Sequence, residues 1–334
     1  MSSFEYEYDR DNDNDAAILD TSVHHRCIPQ QGGTFMSRSA SHDTVREQVR
    51  KRYAGIAKSN GSCCSTSSCG KTDPLGNASA SAALGYSPDE MNAVPEGSNL
   101  GLGCGNPGAI AALKPGETVL DLGSGGGFDC FLAVGQVGKG GHVIGVDMTP
   151  EMVGKARANA AKARCRNVDF RLGEIEHLPV ADASVDVIIS NCVINLSPDK
   201  AQVFAEAHRV LRPGGRLAIS DVVVVKPLPQ KVKASLAAYC GCVAGAARVT
   251  EVEDMLREAG FVDIVIDLKQ ESRAFIKTWF PGSGAEKYVL SANIEACKGP
   301  ASALGEKGLD ARTTEAVPAC CSGKAKKGGT SCCG

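Results

Sequence analysis

At 334 residues the chain is long enough to bury a large core. Its formal net charge of −2, with 22% charged residues, excludes the broad basic footprint that nucleic acid or an anionic membrane surface demands. A small-molecule substrate is therefore the expected partner, with no nucleic acid and no membrane.

The first residues, MSSFEYEYDRDNDNDA, are acidic and lack both the basic and the apolar regions of a secretory signal. No apolar run approaches membrane-spanning length, so a cytoplasmic protein is expected. Fifteen cysteines in a reducing compartment argue against a disulfide framework and for soft-ion binding or thiol redox chemistry.

In chain order, residues 1–42 are polar and aperiodic and read as a disordered extension. Met36 offers a second possible start just before the first helical pattern. Residues 43–85 form an N-terminal helix and a cysteine-rich segment. Thr44 and Glu47 suggest a capping box, and Val45, Val49, Tyr53 and Ile56 continue at helical spacing to about Lys58. Gly61 and the run with Cys63, Cys64 and Cys69 then break the pattern. Ser87-Pro88-Asp89-Glu90 signals a second helix start, and the glycine-rich stretch after it predicts a flexible lead-in carrying Cys104.

Residues 86–225 hold the regular part. The runs TVLDLG, HVIGVD, NVDFRLG, VDVIIS and RLAISDVVV alternate with amphipathic stretches starting near Phe128, Pro150 and Asp199, and a turn falls at Arg212–Gly215. Such alternation predicts an α/β, doubly wound, mostly parallel sheet. Residues 226–297 supply a small-residue helix with Cys240 and Cys242, a helix over Glu251–Ala259, and strands VDIVIDL and YVLSANIEA. The cysteine-bearing piece is thus an insertion in the second half of the sheet. Residues 298–334, rich in Cys, Lys and Gly, read as a flexible tail.

The loop Asp121-Leu-Gly123-Ser124-Gly125-Gly-Gly127 joins the first strand to a helix, where open α/β sheets bind ligands. Its spacing departs from the dinucleotide fingerprint. Asp121, Asp147, Glu174 and Glu176 all fall at strand ends and would repel a pyrophosphate, whereas they suit a cationic ligand such as S-adenosylmethionine. Asp147 would clasp the ribose hydroxyls, and Glu174 or the Ile175 amide would read the adenine. The candidate cofactor set is Asp121, Gly123, Ser124, Gly125, Asp147, Met148, Glu174, Ile175 and Asn191.

LDLGSGGG, VIGVDMT, the E-I-E-x-L-P segment and LRPGG resemble the seven-stranded Rossmann-like class of S-adenosylmethionine methyltransferases over residues 86–297. More narrowly, GLGCGNP, GVDMTPEM, SNCVINLSPDK and YCGCVAGA resemble the arsenite S-adenosylmethionine methyltransferase family. The resemblance implies that Cys104, Cys192 and Cys242 bind As(III), arsenite or methylarsenite, with Cys240 a rival for the third place. It also implies a relay thiol among Cys63, Cys64 and Cys69, recycled by a thiol reductant such as glutathione or a thioredoxin-like partner. Cys130 reads as core packing. The pairs Cys320-Cys321 and Cys332-Cys333 read equally as metalloid scavengers or as idle thiols. Zinc is disfavoured, because no C-x-x-C is present. The alternatives are a methyltransferase acting on carbon, oxygen or nitrogen of a small metabolite, and a thiol-rich metalloid-sequestering protein.

Overall fold

Short valine- and isoleucine-rich runs pair into one sheet in the computed structural model, which describes residues 42–59, 74–279 and 282–300. The expectations for residues 1–41 and 301–334, for Cys63, Cys64 and Cys69, and for the C-terminal cysteine pairs lie outside the described residues.

Seven strands form in the order β3-β2-β1-β4-β5-β7-β6. They are β1 (Thr118–Leu122), β2 (His142–Asp147), β3 (Val168–Leu172), β4 (Val185–Asn191), β5 (Leu211–Val224), β6 (Phe261–Lys269) and β7 (Val289–Lys298). The first five run parallel, while β7 is antiparallel to both β5 and β6. At the centre, Leu120 stands opposite Ile144 on one side and Ile188 on the other.

The helices are α1 (His42–Ser59), α2 (Pro74–Ala83), α3 (Pro88–Ala93), α4 (Pro107–Ala111), α5 (Phe128–Val137), α6 (Pro150–Ala163), α7 (Lys200–Val210), α8 (Gln230–Lys233), α9 (Leu236–Cys240), α10 (Val249–Glu258) and α11 (Ser272–Trp279). Strand alternation divides the core between the two sheet faces. Leu120, Leu122, Ile144 and Ile188 cluster with Val203, Phe204 and Ala207 of α7. Val119, Val143, Val187 and Ile189 cluster with Phe131 of α5 and Val153 of α6.

Several boundaries differ from expectation for identifiable reasons. Thr44 lies inside α1, which already begins at His42, so it does not cap that helix. The Ser87 capping box at α3 does form, with Glu90 returning to the Ser87 backbone. Arg212–Gly215 belongs to β5, because Leu211 pairs with Val185 before the register shifts. The cysteine-bearing helix α9 stops at Cys240, leaving Cys242 beyond it. Helix α11 has no counterpart in the expected elements. Its Phe275, Ile276 and Trp279 pack against Val222 and Val289 at the sheet, a tertiary signal too short to stand out between two strands.

Candidate active site

The carboxyl ends of β1, β2 and β4 open on a cavity of about 580 Å³, within the usual range for small-molecule sites. One end is the glycine loop. Gly123 and Ser124 donate their N–H groups to Val146 O at 2.8 and 3.0 Å, which turns the chain sharply off β1. Gly123 takes φ 76°, and a Cβ there would meet Val193 Cγ2 at 2.3 Å, so conformation and space both require glycine. Gly125, at φ 51°, faces open space.

Asp147, at the end of β2, accepts from Gly125 N at 2.9 Å and from Thr149 N at 2.8 Å. Those donors fix the carboxylate, while burial pushes its pKa up. Asp121 is buried, and its pKa is driven well above the usual range first by burial and then by the charge of Asp129. Asp129 itself is lifted by burial to about 6 and accepts from Tyr86 Oη at 2.5 Å. This second acid and its tyrosine were not singled out in the sequence; the only sequence signal was an acid in the first turn after the glycine loop. Ser124 Oγ is buried without a hydrogen-bond partner, a polar group turned to a cavity that it lines.

Met148, Ile175 and Asn191 also line the cavity, whereas Glu174 does not. The Glu174 carboxylate instead pairs with Arg46 at 3.3 Å and Arg50 at 3.2 Å. Buried Glu176 takes the inward position, accepting from Ser197 Oγ at 2.7 Å and Arg46 Nη2 at 3.1 Å. These ion pairs seat α1 on the core, so that Arg46, Val49 and Tyr53 form a wall of the cavity.

Cys192 and Cys242 line the other end of the cavity, and the Cys104 thiol lies within 4.8 Å of that of Cys192. Cys192 follows β4 directly, and its backbone N–H donates to Ser220 O at 2.8 Å. Cys104 is 2% exposed, with its N–H on Asn191 Oδ1 at 2.9 Å and its carbonyl accepting from Ser291 Oγ at 2.6 Å. The expected flexible lead-in is therefore a clamped, buried loop at this point. Cys242 is also 2% exposed, with Sγ 2.8 Å from Cys192 O. The Cys192 thiol reaches both other thiols by hydrogen bonds, so the three sulfurs form one cluster. All are free.

All three thiol pKa values are raised. Burial lifts Cys104 to about 11. Cys192 is pushed well up first by its bond with Cys104, and Cys242 first by its bond with Cys192. Cys192 and Cys242 adopt the left-handed backbone at φ 58° and 61°. Cys240 also lines the cavity, but its carbonyl accepts from Tyr53 Oη at 3.2 Å and its thiol is not among the hydrogen-bonded three. Cys130 is buried core, as expected, with Sγ 3.2 Å from Asp121 Oδ2.

Sequence inspection also missed buried Asp221. Its Oδ1 accepts from Val222 N at 2.7 Å and Asn195 Nδ2 at 2.8 Å, and its Oδ2 from Ile194 N at 2.9 Å. An acid inside the apolar run ISDVVV was the available signal. Phe275 and Trp279 of α11, in contact at 5.2 Å between ring centroids, complete the apolar side of the cavity.

Residues 113–260 match the family described as a methyltransferase domain. The arsenite methyltransferase of Halobacterium salinarum is 55% identical over 262 residues, covering 77% of this chain and 67% of that protein. The chain belongs to the arsenite methyltransferase family. The mouse arsenite methyltransferase is 31% identical over 68% of this chain and 60% of its own length. The crystal structure of the arsenic(III) S-adenosylmethionine methyltransferase of Chlamydomonas reinhardtii is 37% identical, with a TM-score of 0.51, covering 66% of this chain and 74% of that one. The aligned segments span between 60% and 74% of the length of these three relatives. Among the described residues, no helix is long and apolar enough to cross a membrane.

Proposed function

We propose that this chain transfers the methyl group of S-adenosylmethionine to trivalent arsenic held by Cys104, Cys192 and Cys242. The observation that carries this reading is that Cys192 and Cys242 line the cavity whose far end is the glycine loop, with the buried Cys104 thiol within 4.8 Å of Cys192.

The residues present fit the cofactor. Ser124 Oγ is an orphaned buried polar atom, and Gly125 borders open space that a ligand would fill. Asp147 would hold the ribose hydroxyls, Met148 and Ile175 the adenine, and Asp121 the cationic methionine portion. When bound, the cofactor supplies an electrophilic methyl group on its sulfonium.

The thiols are protonated at neutral pH, which suits arsenous acid as the incoming species. Each S–H condenses with one As–OH, forming an As–S bond and releasing water, so no base is consumed and no net proton is lost. Three sulfurs then leave the arsenic lone pair on the open side of the pyramid as the nucleophile. The protein's part is alignment, which is worth up to roughly 7–11 kcal/mol. Methylation raises arsenic to the pentavalent state. Loss of two sulfur ligands as a disulfide returns it to the trivalent state, and an external thiol, glutathione or a thioredoxin, reduces that disulfide. Cys63, Cys64 or Cys69 would serve as relay between them.

The test is product speciation by mass spectrometry after incubation with arsenite, labelled cofactor and excess thiol. Methylated arsenic is expected, at a rate abolished by Cys192→Ser. Full activity of that variant would favour a methyltransferase of a carbon, oxygen or nitrogen acceptor instead.

A further inference from the structure

We propose that the thiol pocket is also a site for thiophilic divalent cations such as cadmium, with Asp221 as the fourth donor beside the three cysteines. The proposal rests on the three-thiol reading above and adds a ligand class to that site. Cys104, Cys192 and Asp221 bring one ligand atom each to within 4.8 Å of one another, and the Cys242 thiol is hydrogen-bonded to Cys192.

Trivalent arsenic needs only three sulfurs and keeps a lone pair, so it leaves Asp221 unused. A cation with a filled d shell keeps no such lone pair and takes four donors in a tetrahedron. The cation displaces the three S–H protons to solvent, and the resulting three thiolates and one carboxylate meet that demand. Asp221 is placed to contribute, because its Oδ1 accepts two hydrogen bonds while its Oδ2 accepts one, from Ile194 N. Those backbone and amide donors lock the carboxylate in position, as outer-shell donors orient a ligating carboxylate in metal sites. Lys200, largely withdrawn from solvent on the first turn of α7, feels both Asp221 and Cys242 and offsets part of the negative charge that four anionic ligands assemble. The four residues lie on four separate segments, which is why no cysteine spacing revealed them.

A cation held there occupies the arsenic position and blocks it. Cadmium binding is measured on the full-length chain with Cys27, Cys63, Cys64, Cys69, Cys320, Cys321, Cys332 and Cys333 replaced by serine, so that thiols outside the described residues do not compete. One equivalent of cadmium is expected, with a cadmium-113 resonance in the range of a three-sulfur, one-oxygen set, and displaced by arsenite. Asp221→Asn is expected to weaken cadmium at least about tenfold more than it weakens arsenite. Equal losses for the two ligands, or a four-sulfur resonance with Cys240 as the fourth donor, would overturn the proposal. Cadmium that arsenite does not displace would overturn it too. Should circular dichroism show Asp221→Asn unfolded, the resonance of the parent protein decides alone. Arsenite titrated without cadmium separates the two readings: no arsenite binding sinks the three-thiol site, whereas arsenite binding with Asp221-independent cadmium sinks only this one.

Discussion

Asn191→Ala isolates the contribution of one clamp to one thiol. The Asn191 amide accepts from Cys104 N at 2.9 Å and donates to Gly105 O at 2.8 Å, holding both sides of the Cys104 loop to the end of β4. It also donates to Tyr86 Oη at 3.0 Å. Truncation leaves a backbone N–H and a carbonyl unpaired near the protein interior. Each costs about 1–3 kcal/mol, so the loop loses roughly 2–6 kcal/mol of the free energy that seats it. Even the lower figure corresponds to about a 30-fold fall in the population with Cys104 in place. Arsenite presents three sites to thiols, whereas methylarsenite presents two. Turnover of arsenite should therefore collapse while that of methylarsenite, held by Cys192 and Cys242, falls far less. The assay is label transfer from the cofactor to each substrate, with calorimetry of S-adenosylhomocysteine to confirm an intact cofactor end. Equal losses on both substrates with unchanged cofactor affinity would refute the assignment of Asn191 as the clamp of the third thiol.

Cys192→Ser and Cys242→Ser should each abolish methylation of both substrates, whereas Cys104→Ser should lose arsenite and keep methylarsenite, as measured by the same transfer assay with excess thiol. Asp147→Ala removes charge-assisted bonds worth about 1.5–3 kcal/mol, which predicts roughly 10- to 150-fold weaker cofactor binding by calorimetry; unchanged affinity would remove Asp147 from the site. Asp129, lifted to about 6, holds a proton in the folded state that the unfolded chain has lost, so its contribution to stability is full below the ordinary carboxylate range and lost as pH rises through about 6. Asp129→Asn should accordingly gain in melting temperature relative to the parent as pH rises from about 4 to about 6, with no further gain above that, and a pH-independent difference would show that burial does not govern this acid.

The sheet was legible because its signals are local. Runs such as HVIGVD and VDVIIS are rich in valine and isoleucine and close on a polar residue, Asp147 or Asn191, and β2 and β4 form over them. The glycine loop and Asp147 were legible for the same reason. Cys104, Cys192 and Cys242 were visible only through resemblance, since 50 residues separate even Cys192 from Cys242. The Tyr86–Asp129–Asn191 network was invisible because its members lie 43, 62 and 105 residues apart and each is unremarkable alone. The lead-in was misjudged for a related reason. Glycines around Cys104 suggest mobility in isolation, but Gly103 leaves room for the Asn191 amide, which a Cβ would approach at 2.8 Å. There the glycine admits a partner and is not a source of freedom.

Two of the three thiols sit on left-handed backbone, at φ 58° for Cys192 and 61° for Cys242. A side chain in that region costs roughly 1–2 kcal/mol that glycine would not incur. The fold itself thus favours glycine or asparagine at these positions, and cysteine stands against that preference, as the proposed arsenic ligation requires. Exchange of either cysteine for glycine should relieve that backbone strain while it removes one of the proposed arsenic ligands.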